Sequence, residues 1–204
     1  SLEEIQLPKT VTTIWPHAFD GCSSLKKVEW SDCLESIKDN AFKGCTSLTE
    51  IVIPNTVREL GNEAFRNCDG LEKIVIPNSV TTIGNGVLYD CDSLTNISVG
   101  AGISKLSESC FEHCDNLEKI VLPYTIKSID KSAFKECIAL KEITIPRNTS
   151  SIGTSVFSYP AKMTIYGVAG TYAEKYAGEK GIKFVAIDKK TEKVSLDKSE
   201  VTIN

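Results

Sequence analysis

The stretch Leu-Glu-Lys-Ile-Val-Ile-Pro at residues 71–77 decides the fold of this chain of 204 residues. Its leucine is one of seven that stand 23 residues apart, namely Leu2, Leu25, Leu48, Leu71, Leu94, Leu117 and Leu140. Ile74 and Ile76 flank Val75, and this alternation is the period of a strand with one apolar face. The proline that follows has no backbone N–H to donate and therefore ends the strand. The pattern predicts a tandem array of short strands.

The remainder of each 23-residue unit keeps the same register. Three further columns are mainly apolar: Ile14, Ile37, Leu60, Ile83, Leu106, Ile129 and Ile152; Phe19, Phe42, Phe65, Leu88, Phe111, Phe134 and Phe157; and Cys22, Cys45, Cys68, Cys91, Cys114 and Cys137. Val80 and Ile83 predict a second short extended segment, and the Ala-Phe-x-x-Cys motif of residues 64–68 predicts a single tight helical turn. Because one coil alone buries little apolar surface, the coils are expected to stack around a shared core. Seven stacked coils would build one parallel sheet with strands about 4.8 Å apart.

A period of about 20–29 residues with an L-x-x-L-x-L core is typical of leucine-rich repeats. The 23-residue form, with proline after the strand and the Ala-Phe-x-x-Cys turn, resembles the BspA-like subclass of bacterial leucine-rich repeats. The resemblance covers residues 2–187. It implies a leucine-rich repeat solenoid that is mainly β with short helical turns, a parallel sheet on one face and a helical C-terminal cap.

Two repeats depart from this pattern. Repeat two carries Trp30 in an aliphatic column and Cys33 outside the cysteine column. Repeat five carries Gly100 and Gly102 where other repeats have the proline region, and Cys110 where they have alanine. These two coils are predicted to be locally distorted.

The C-terminal end of the array is expected to be closed by a cap, since the repeat register breaks after Met163. Tyr172 and Tyr176 stand four residues apart, on one face of a predicted helix. Terminal repeats differ from internal ones because they must shield the last open coil. We therefore expect residues 1–187 to form the solenoid, with residues 163–187 as a cap of one helix and one edge strand. The first coil has no comparable cap, which suggests further sequence upstream.

The C-terminal residues 188–204 lie beyond the repeats. Residues 188–193 are charged and read as a linker. Residues 193–203 resemble the first strands of a bacterial group 2 Ig-like domain, and the alternative is a disordered tail.

The cysteine column favours free thiols over disulfides. Six of the eight cysteines recur with the coil. Equivalent side chains on parallel coils point the same way, which leaves their Cβ atoms about 5 Å apart, beyond the roughly 3.5–4.5 Å of a disulfide. Free cysteine behaves as a small buried apolar residue. The sequence therefore predicts a ladder of reduced, buried thiols.

The charge and hydropathy of the chain exclude two classes of partner. The net charge of −4 and the isoelectric point near 5.3 argue against nucleic acid, which calls for a basic stripe. They argue equally against a polybasic membrane anchor. No apolar run approaches the roughly 18 residues that span a bilayer, so no membrane insertion is expected.

Signals for catalysis or for metal binding are weak. The two histidines, His17 and His113, are about four coils apart, and no HExxH, GxSxG or P-loop motif is present. Residues 110–114 read Cys-Phe-Glu-His-Cys, but both cysteines fall in core columns and a closed zinc site needs four convergent ligands. The chain is therefore expected to be no enzyme and to hold no metal or cofactor.

The outward side chains of the first strand in each coil, called here the sheet face, offer the candidate binding site. The candidates for contact with a protein are three valines with flanking charges: Val52, Val75, Val121, Glu50, Lys73 and Lys119. Apolar side chains bordered by charge are typical of a recognition patch. The alternative is that valine occurs at these positions only because it favours β-strand conformation, without a role in binding.

The favoured function is adhesion or protein recognition through the sheet face, since solenoids present broad surfaces that suit large partners. The BspA-like resemblance implies a secreted or cell-surface protein, expected here to be a monomer, that attaches to a host-matrix or neighbouring-cell surface protein. The first alternative is a passive spacer in a multidomain surface protein, and the second is an enzyme or its accessory domain.

Overall fold

Two ladders of parallel strands run through the computed structural model, which describes residues 1–188. The first ladder contains β1 (Glu4–Gln6), β3 (Lys27–Glu29), β5 (Glu50–Val52), β7 (Lys73–Ile76), β9 (Asn96–Val99), β11 (Lys119–Val121), β13 (Glu142–Thr144), β15 (Thr164–Gly167) and β16 (Lys183–Ala186). The second ladder contains β2 (Thr13–Ile14), β4 (Ser36–Ile37), β6 (Glu59–Leu60), β8 (Thr82–Ile83), β10 (Lys105–Leu106), β12 (Ser128–Ile129) and β14 (Ser151–Ile152). The leucine-rich repeat solenoid with parallel strands is thus confirmed.

The Ala-Phe-x-x-Cys segments form a third wall, called here the turn face. In the second coil Ala41 and Cys45 donate backbone hydrogen bonds to the carbonyls three residues earlier, while Phe42 N–H donates to Ala64 O of the next coil at 2.8 Å. Asn40 (φ 56°) and Gly44 (φ 70°) have left-handed backbones. Because a left-handed residue cannot continue a right-handed helix, each segment stays a set of tight turns that also bonds to its neighbouring coil.

The core is built from the repeated inward columns. The Phe42 ring is stacked between the rings of Phe19 and Phe65, at centroid distances of 5.1 and 5.3 Å. Leu88 interrupts the stack, which resumes with Phe111 and its successors in later coils. Aromatic rings at these separations contribute about 0.5–1.5 kcal/mol per pair beyond the area that they bury. The same core is therefore extended by every added coil.

The ladders are interrupted, which corrects the expectation of one continuous sheet. The first ladder divides into β1-β3, β5-β7-β9 and β11-β13-β15-β16, and the second into β2-β4-β6-β8 and β10-β12-β14. The interruptions fall at repeats two and five, where the inward strand residues Val28 and Ile97 are only half-buried. Their counterparts Ile51 and Ile74 are buried. The coils whose sequences depart from the pattern are thus the coils at which strand pairing lapses.

The C-terminal end of the solenoid is covered by a helix and a strand. Helix α1 (Tyr172–Lys180) follows a single 3-10 turn at Pro160–Lys162 and strand β15, and it ends at Gly181, whose φ is 65°. The helix buries Ala173, Tyr176 and Ala177, and β16 pairs in parallel with β15. The helical cap of the predicted fold class is therefore present. The Ig-like resemblance rests on residues outside those described, and within residues 1–188 no helix has the length and apolar character to span a bilayer.

All eight cysteines are free in the structure. Six are buried, Cys22 is half-buried and Cys33 is exposed. The Cys68 thiol donates to Phe42 O at 3.2 Å, and the Cys91 thiol makes the same bond to Phe65 O. Burial in the apolar core raises the pKa values of these thiols. At neutral pH the thiolate form, which reacts with electrophiles, is therefore suppressed inside the core.

Thiol titration should distinguish the exposed, half-buried and buried cysteines. In the native protein Cys33 should react with Ellman's reagent at once and Cys22 more slowly, because only these two have solvent access. The six buried thiols should react only after denaturant is added. Cys33→Ala should abolish the fast phase and leave the total one thiol lower. Recovery of four thiols or fewer in denaturant would contradict the free-thiol ladder.

Candidate interaction surfaces

The structure places the three candidate valines on the sheet face but does not join all of them. Val52 on β5 lies opposite Val75 on β7 in the strand register. Val52 is 39% exposed, and Val75 and Val121 are half-buried. Ser98 on β9 stands beside Val75, and the ladder is interrupted between β9 and the strand that carries Val121. The first two valines thus form one patch, and Val121 lies two coils beyond Val75.

The apolar surface continues past Val121 into the cap. Val121 is in register with Thr144, Thr144 with Tyr166, and Tyr166 with Val185. The column Val52, Val75, Ser98, Val121, Thr144, Tyr166 and Val185 is called here the sheet-face stripe. Its exposure decreases from 39% at Val52 to 7% at Thr144. Thr144 is thus the buried member of the stripe, and its C-terminal neighbours Tyr166 and Val185 are half-buried.

Tyr166 and Val185 were missed by the sequence analysis because they do not obey the 23-residue spacing. Tyr166 follows its partner Thr144 by 22 residues, and Val185 follows Tyr166 by 19. A signal was available in Thr164-Ile165-Tyr166-Gly167, since the buried Ile165 alternates with its outward neighbours as in every other first-ladder strand.

Each charged candidate on the sheet face is paired, Glu50 with Lys73 and Lys119 with Glu142. Lys73 Nζ lies 2.7 Å from Glu50 Oε1, and Lys119 Nζ lies 2.9 Å from Glu142 Oε2. The hydrogen bond from Lys119 is the main cause that lowers the pKa of Glu142, which also accepts a bond from the Tyr166 hydroxyl at 3.4 Å. Exposed pairs of this kind contribute about 0–1 kcal/mol to stability. They leave the border of the stripe close to electrically neutral.

The turn face carries a second group of interacting side chains, which the sequence analysis did not identify. Glu63 accepts bonds from Lys43 at 3.1 Å and from Arg66 at 2.9 Å. The Arg66 guanidinium lies 4.4 Å from the centroid of the Tyr89 ring. The edge of the His113 ring lies against the same tyrosine, with the centroids 5.7 Å apart. A connected polar and aromatic line therefore crosses four consecutive coils.

This line was overlooked because neighbouring positions in the same segment are core positions. The outward column of Lys43, Arg66, Tyr89, Glu112 and Lys135 changes its chemistry from coil to coil, as does the next column, which supplies His113. Glu112 is 8% exposed and pairs with Lys135 Nζ at 2.8 Å, and its hydrogen bond raises the pKa of Lys135. Variation within an outward column was the signal that could have marked this surface.

The Cys-Phe-Glu-His-Cys segment does not assemble a metal site. Cys110 and Cys114 are buried in the apolar core, and His113 is half-buried beside Tyr89. Among residues 1–188 no group of three or more histidine, cysteine, aspartate or glutamate side chains has an arrangement that could hold a metal ion.

Comparison with known families and structures places the chain among bacterial repeat proteins. The family described as "BspA type Leucine rich repeat region" matches residues 1–114 and 35–164, with six copies of the repeat. A leucine-rich repeat protein from Bacteroides ovatus is 29% identical over 89% of this chain and 51% of its own, with a TM-score of 0.70. The leucine-rich repeat protein of T. pallidum is 35% identical over 67% of this chain and 64% of its own, with a TM-score of 0.61.

A more distant similarity concerns the fold alone. A leucine-rich cell surface protein from Faecalibacterium prausnitzii is 24% identical over 86% of this chain and 62% of its own, with a TM-score of 0.60. The chain thus spans between 51% and 64% of the length of these three structures. No curated protein matches the chain.

Proposed function

Because the chain belongs to the BspA-type leucine-rich repeat family, we propose that it is a non-catalytic recognition module of a bacterial cell surface. It binds a protein of the host matrix or of a neighbouring cell through the sheet face. The observation that carries this proposal is the sheet-face stripe, a mainly apolar column that crosses the interruption of strand pairing between β9 and β11 and continues into the cap.

The chemistry of the stripe supports a protein partner. Protein interfaces combine a central apolar group, often with tyrosine, and a polar rim. Val52 and Val75 supply the apolar group, Tyr166 the aromatic one, and the pairs Glu50–Lys73 and Lys119–Glu142 supply the rim. Since these charges are already paired, they contribute orientation rather than net attraction. A few central residues are expected to dominate the affinity.

The spacer alternative is less well supported by the same surface. A spacer requires only a solvated outer surface, and polar residues at Val52 and Val75 would serve it as well. The valines of the stripe are outward, so the core does not require them there. Their β-propensity remains the competing explanation, and the variants below separate the two.

The triple change Val52→Ser, Val75→Ser and Val121→Ser should abolish or strongly reduce capture of a protein partner. The probes are immobilised extracellular-matrix proteins and purified bacterial surface proteins, with binding measured by surface plasmon resonance. Removing three central apolar side chains should weaken binding by roughly tenfold or more. The thermal midpoint should change little, since exposed strand positions span about 1 kcal/mol each at most.

A matched control changes three exposed residues of the same three coils that lie outside the stripe. The control variant carries Arg58→Ser, Thr81→Ser and Lys127→Ser. All three residues are exposed and lie next to the second ladder, and this variant should bind like the unmodified protein. Equal loss in both variants would place the binding site elsewhere. Collapse of the valine variant alone would mean that these side chains serve the core.

A further inference from the structure

A groove on the turn face lies at the junction of coils three, four and five. It is lined by Asn62, Glu63, Arg66, Asn85, Gly86, Tyr89 and Glu108, together with Ser109. It is separate from the sheet-face stripe, since it belongs to the wall formed by the Ala-Phe-x-x-Cys turns. This surface is called here the turn groove.

The Asn62 side-chain amide of the turn groove is held in a fixed orientation by two hydrogen bonds. The Asn62 side chain accepts a hydrogen bond from the Asn85 N–H at 2.9 Å through Oδ1. Its Nδ2 donates to Asp39 Oδ2 at 3.2 Å. An amide held in this way keeps one further N–H and one further lone pair for a ligand. Preorganised polar groups bind without a new cost in side-chain entropy.

The charges of the turn groove are compensated. Glu63 is paired with Lys43 and Arg66, and Glu108 Oε1 lies 2.9 Å from Lys131 Nζ. With Asp39, whose carboxylate accepts from Asn62, three carboxylates balance the three cations Lys43, Arg66 and Lys131. The groove therefore offers no net field to attract a polyanion or a polycation. A ligand without net charge is therefore favoured for the turn groove.

The lining also lacks the apolar centre of a protein-recognition patch. It contains amides, carboxylates, a guanidinium group, a serine hydroxyl and the half-buried Tyr89 ring, and no aliphatic side chain. Each sugar hydroxyl group both donates and accepts hydrogen bonds. Amide groups can do the same, and carboxylate groups can accept the hydroxyl protons. A hexose unit is about as long as the spacing of neighbouring coils, about 4.8 Å.

We propose that the turn groove binds a neutral oligosaccharide chain laid across coils three to five. Asn62 and Asn85 donate to and accept from its hydroxyl groups, and Glu63, Arg66 and Glu108 provide the flanking polar contacts. Tyr89, whose ring face is covered by the Arg66 guanidinium, closes one side of the groove. This site is additional to the protein-binding surface proposed above.

Gly86 keeps the groove open and supplies a specific test. Equivalent positions in other coils hold Glu63, Ser109 and Ser132, all with left-handed φ values between 53° and 58°, and Gly86 itself has a φ of 59°. A Cβ atom at Gly86 would lie 3.4 Å from Glu63 Cγ and 3.5 Å from Tyr89 Cβ, which is ordinary van der Waals contact. A side chain can therefore be added there without clash, and a long one would fill the groove.

The experiment compares Gly86→Glu with Ser132→Glu, which makes the same charge change in the same column two coils away. Cellohexaose, maltohexaose and chitohexaose are titrated to about 10 mM, above the millimolar affinities of weak sites. Binding is read from the amide ¹⁵N shifts of Asn85, Gly86 and Tyr89. At least one sugar should shift these signals saturably. Gly86→Glu should weaken that binding by roughly tenfold or more, and Ser132→Glu should leave it unchanged.

Thermal melts of both variants check that the fold is retained. If Gly86→Glu does not fold, Asn85→Ala replaces it, since that change removes an exposed amide and leaves the Asn85 backbone bond to Asn62 in place. The proposal is overturned if none of the three sugars shifts the groove signals saturably, or if binding persists undiminished in the groove variants. It is also overturned if a hexapeptide probe shifts these signals and the sugars do not, because the turn groove would then be a protein-binding surface.

Discussion

Truncation after Lys162, which removes the cap, should make the solenoid less stable and cause it to associate, whereas we expect the full chain to be a monomer. Strand β13 would lose its pairing with β15, and Ile143 and Ile145, now fully buried, would face solvent at the open end. The ring of Phe157 would lose the edge contact with Tyr176 at 6.3 Å. Exposing several large apolar side chains costs about 1.5–3 kcal/mol each, so the melting temperature should fall by roughly 10 °C or more. An unpaired strand edge also invites association.

The matched control is truncation after Ile187, which retains α1 and β16. This variant should melt at the temperature of the full chain and sediment as the same species. Analytical ultracentrifugation and thermal circular dichroism measure both variants. If the protein truncated after Lys162 stays monomeric with an unchanged melting temperature, residues 163–187 are not the cap.

Alkaline pH should unfold the protein cooperatively, because the buried thiols cannot ionise in the core. Burial raises the pKa values of Cys45, Cys110 and Cys137 to about 12, and raises those of the other buried thiols as well. The ordinary thiol pKa is about 8.5. Above that value the unfolded chain has released these protons and the folded chain still binds them. Stability is therefore intact below about pH 8.5 and falls as the pH rises toward 12.

The size of this alkaline effect follows from the number of buried thiols. Each contributes about 1.4 kcal/mol per pH unit between its two pKa values. Six buried thiols together approach about 8 kcal/mol per pH unit, which is comparable to a typical total stability of about 5–15 kcal/mol. Urea unfolding at pH 7, 9 and 10 should show the free energy of unfolding falling between pH 7 and 9, and more steeply per pH unit between pH 9 and 10.

Two single variants test the cause of the alkaline unfolding. Cys91→Ala removes one fully buried thiol and should reduce the slope of unfolding free energy against pH by about 1.4 kcal/mol per pH unit. It should also lower stability at pH 7, through a small cavity. Cys33→Ala removes an exposed thiol and should leave the slope unchanged. Identical slopes in both variants would assign the alkaline effect to lysine and tyrosine residues instead.

The sequence by itself determined the solenoid, its repeat length and its core. The columns of Leu71, Phe65 and Cys68 recur at a fixed spacing, and only stacked coils place such columns in one continuous interior. Each of these three residues is fully buried. The second strand at Thr82–Ile83 and the cap helix at Tyr172–Lys180 also followed from local patterns. Because a column holds nearly the same apolar residue type in every coil, the sequence alone identifies which side chains point into the core.

Only the tertiary structure decided how the outward residues combine. Tyr166 and Val185 join the sheet-face stripe because the chain returns to the first ladder after 22 and 19 residues, which no 23-residue column reveals. The turn groove arises where Tyr89, Arg66 and Gly86 from adjacent coils meet. The repeat period fixes which residues are stacked within a column. Contacts between columns depend on how far each coil is displaced from the next, and this displacement is set by packing of the whole stack.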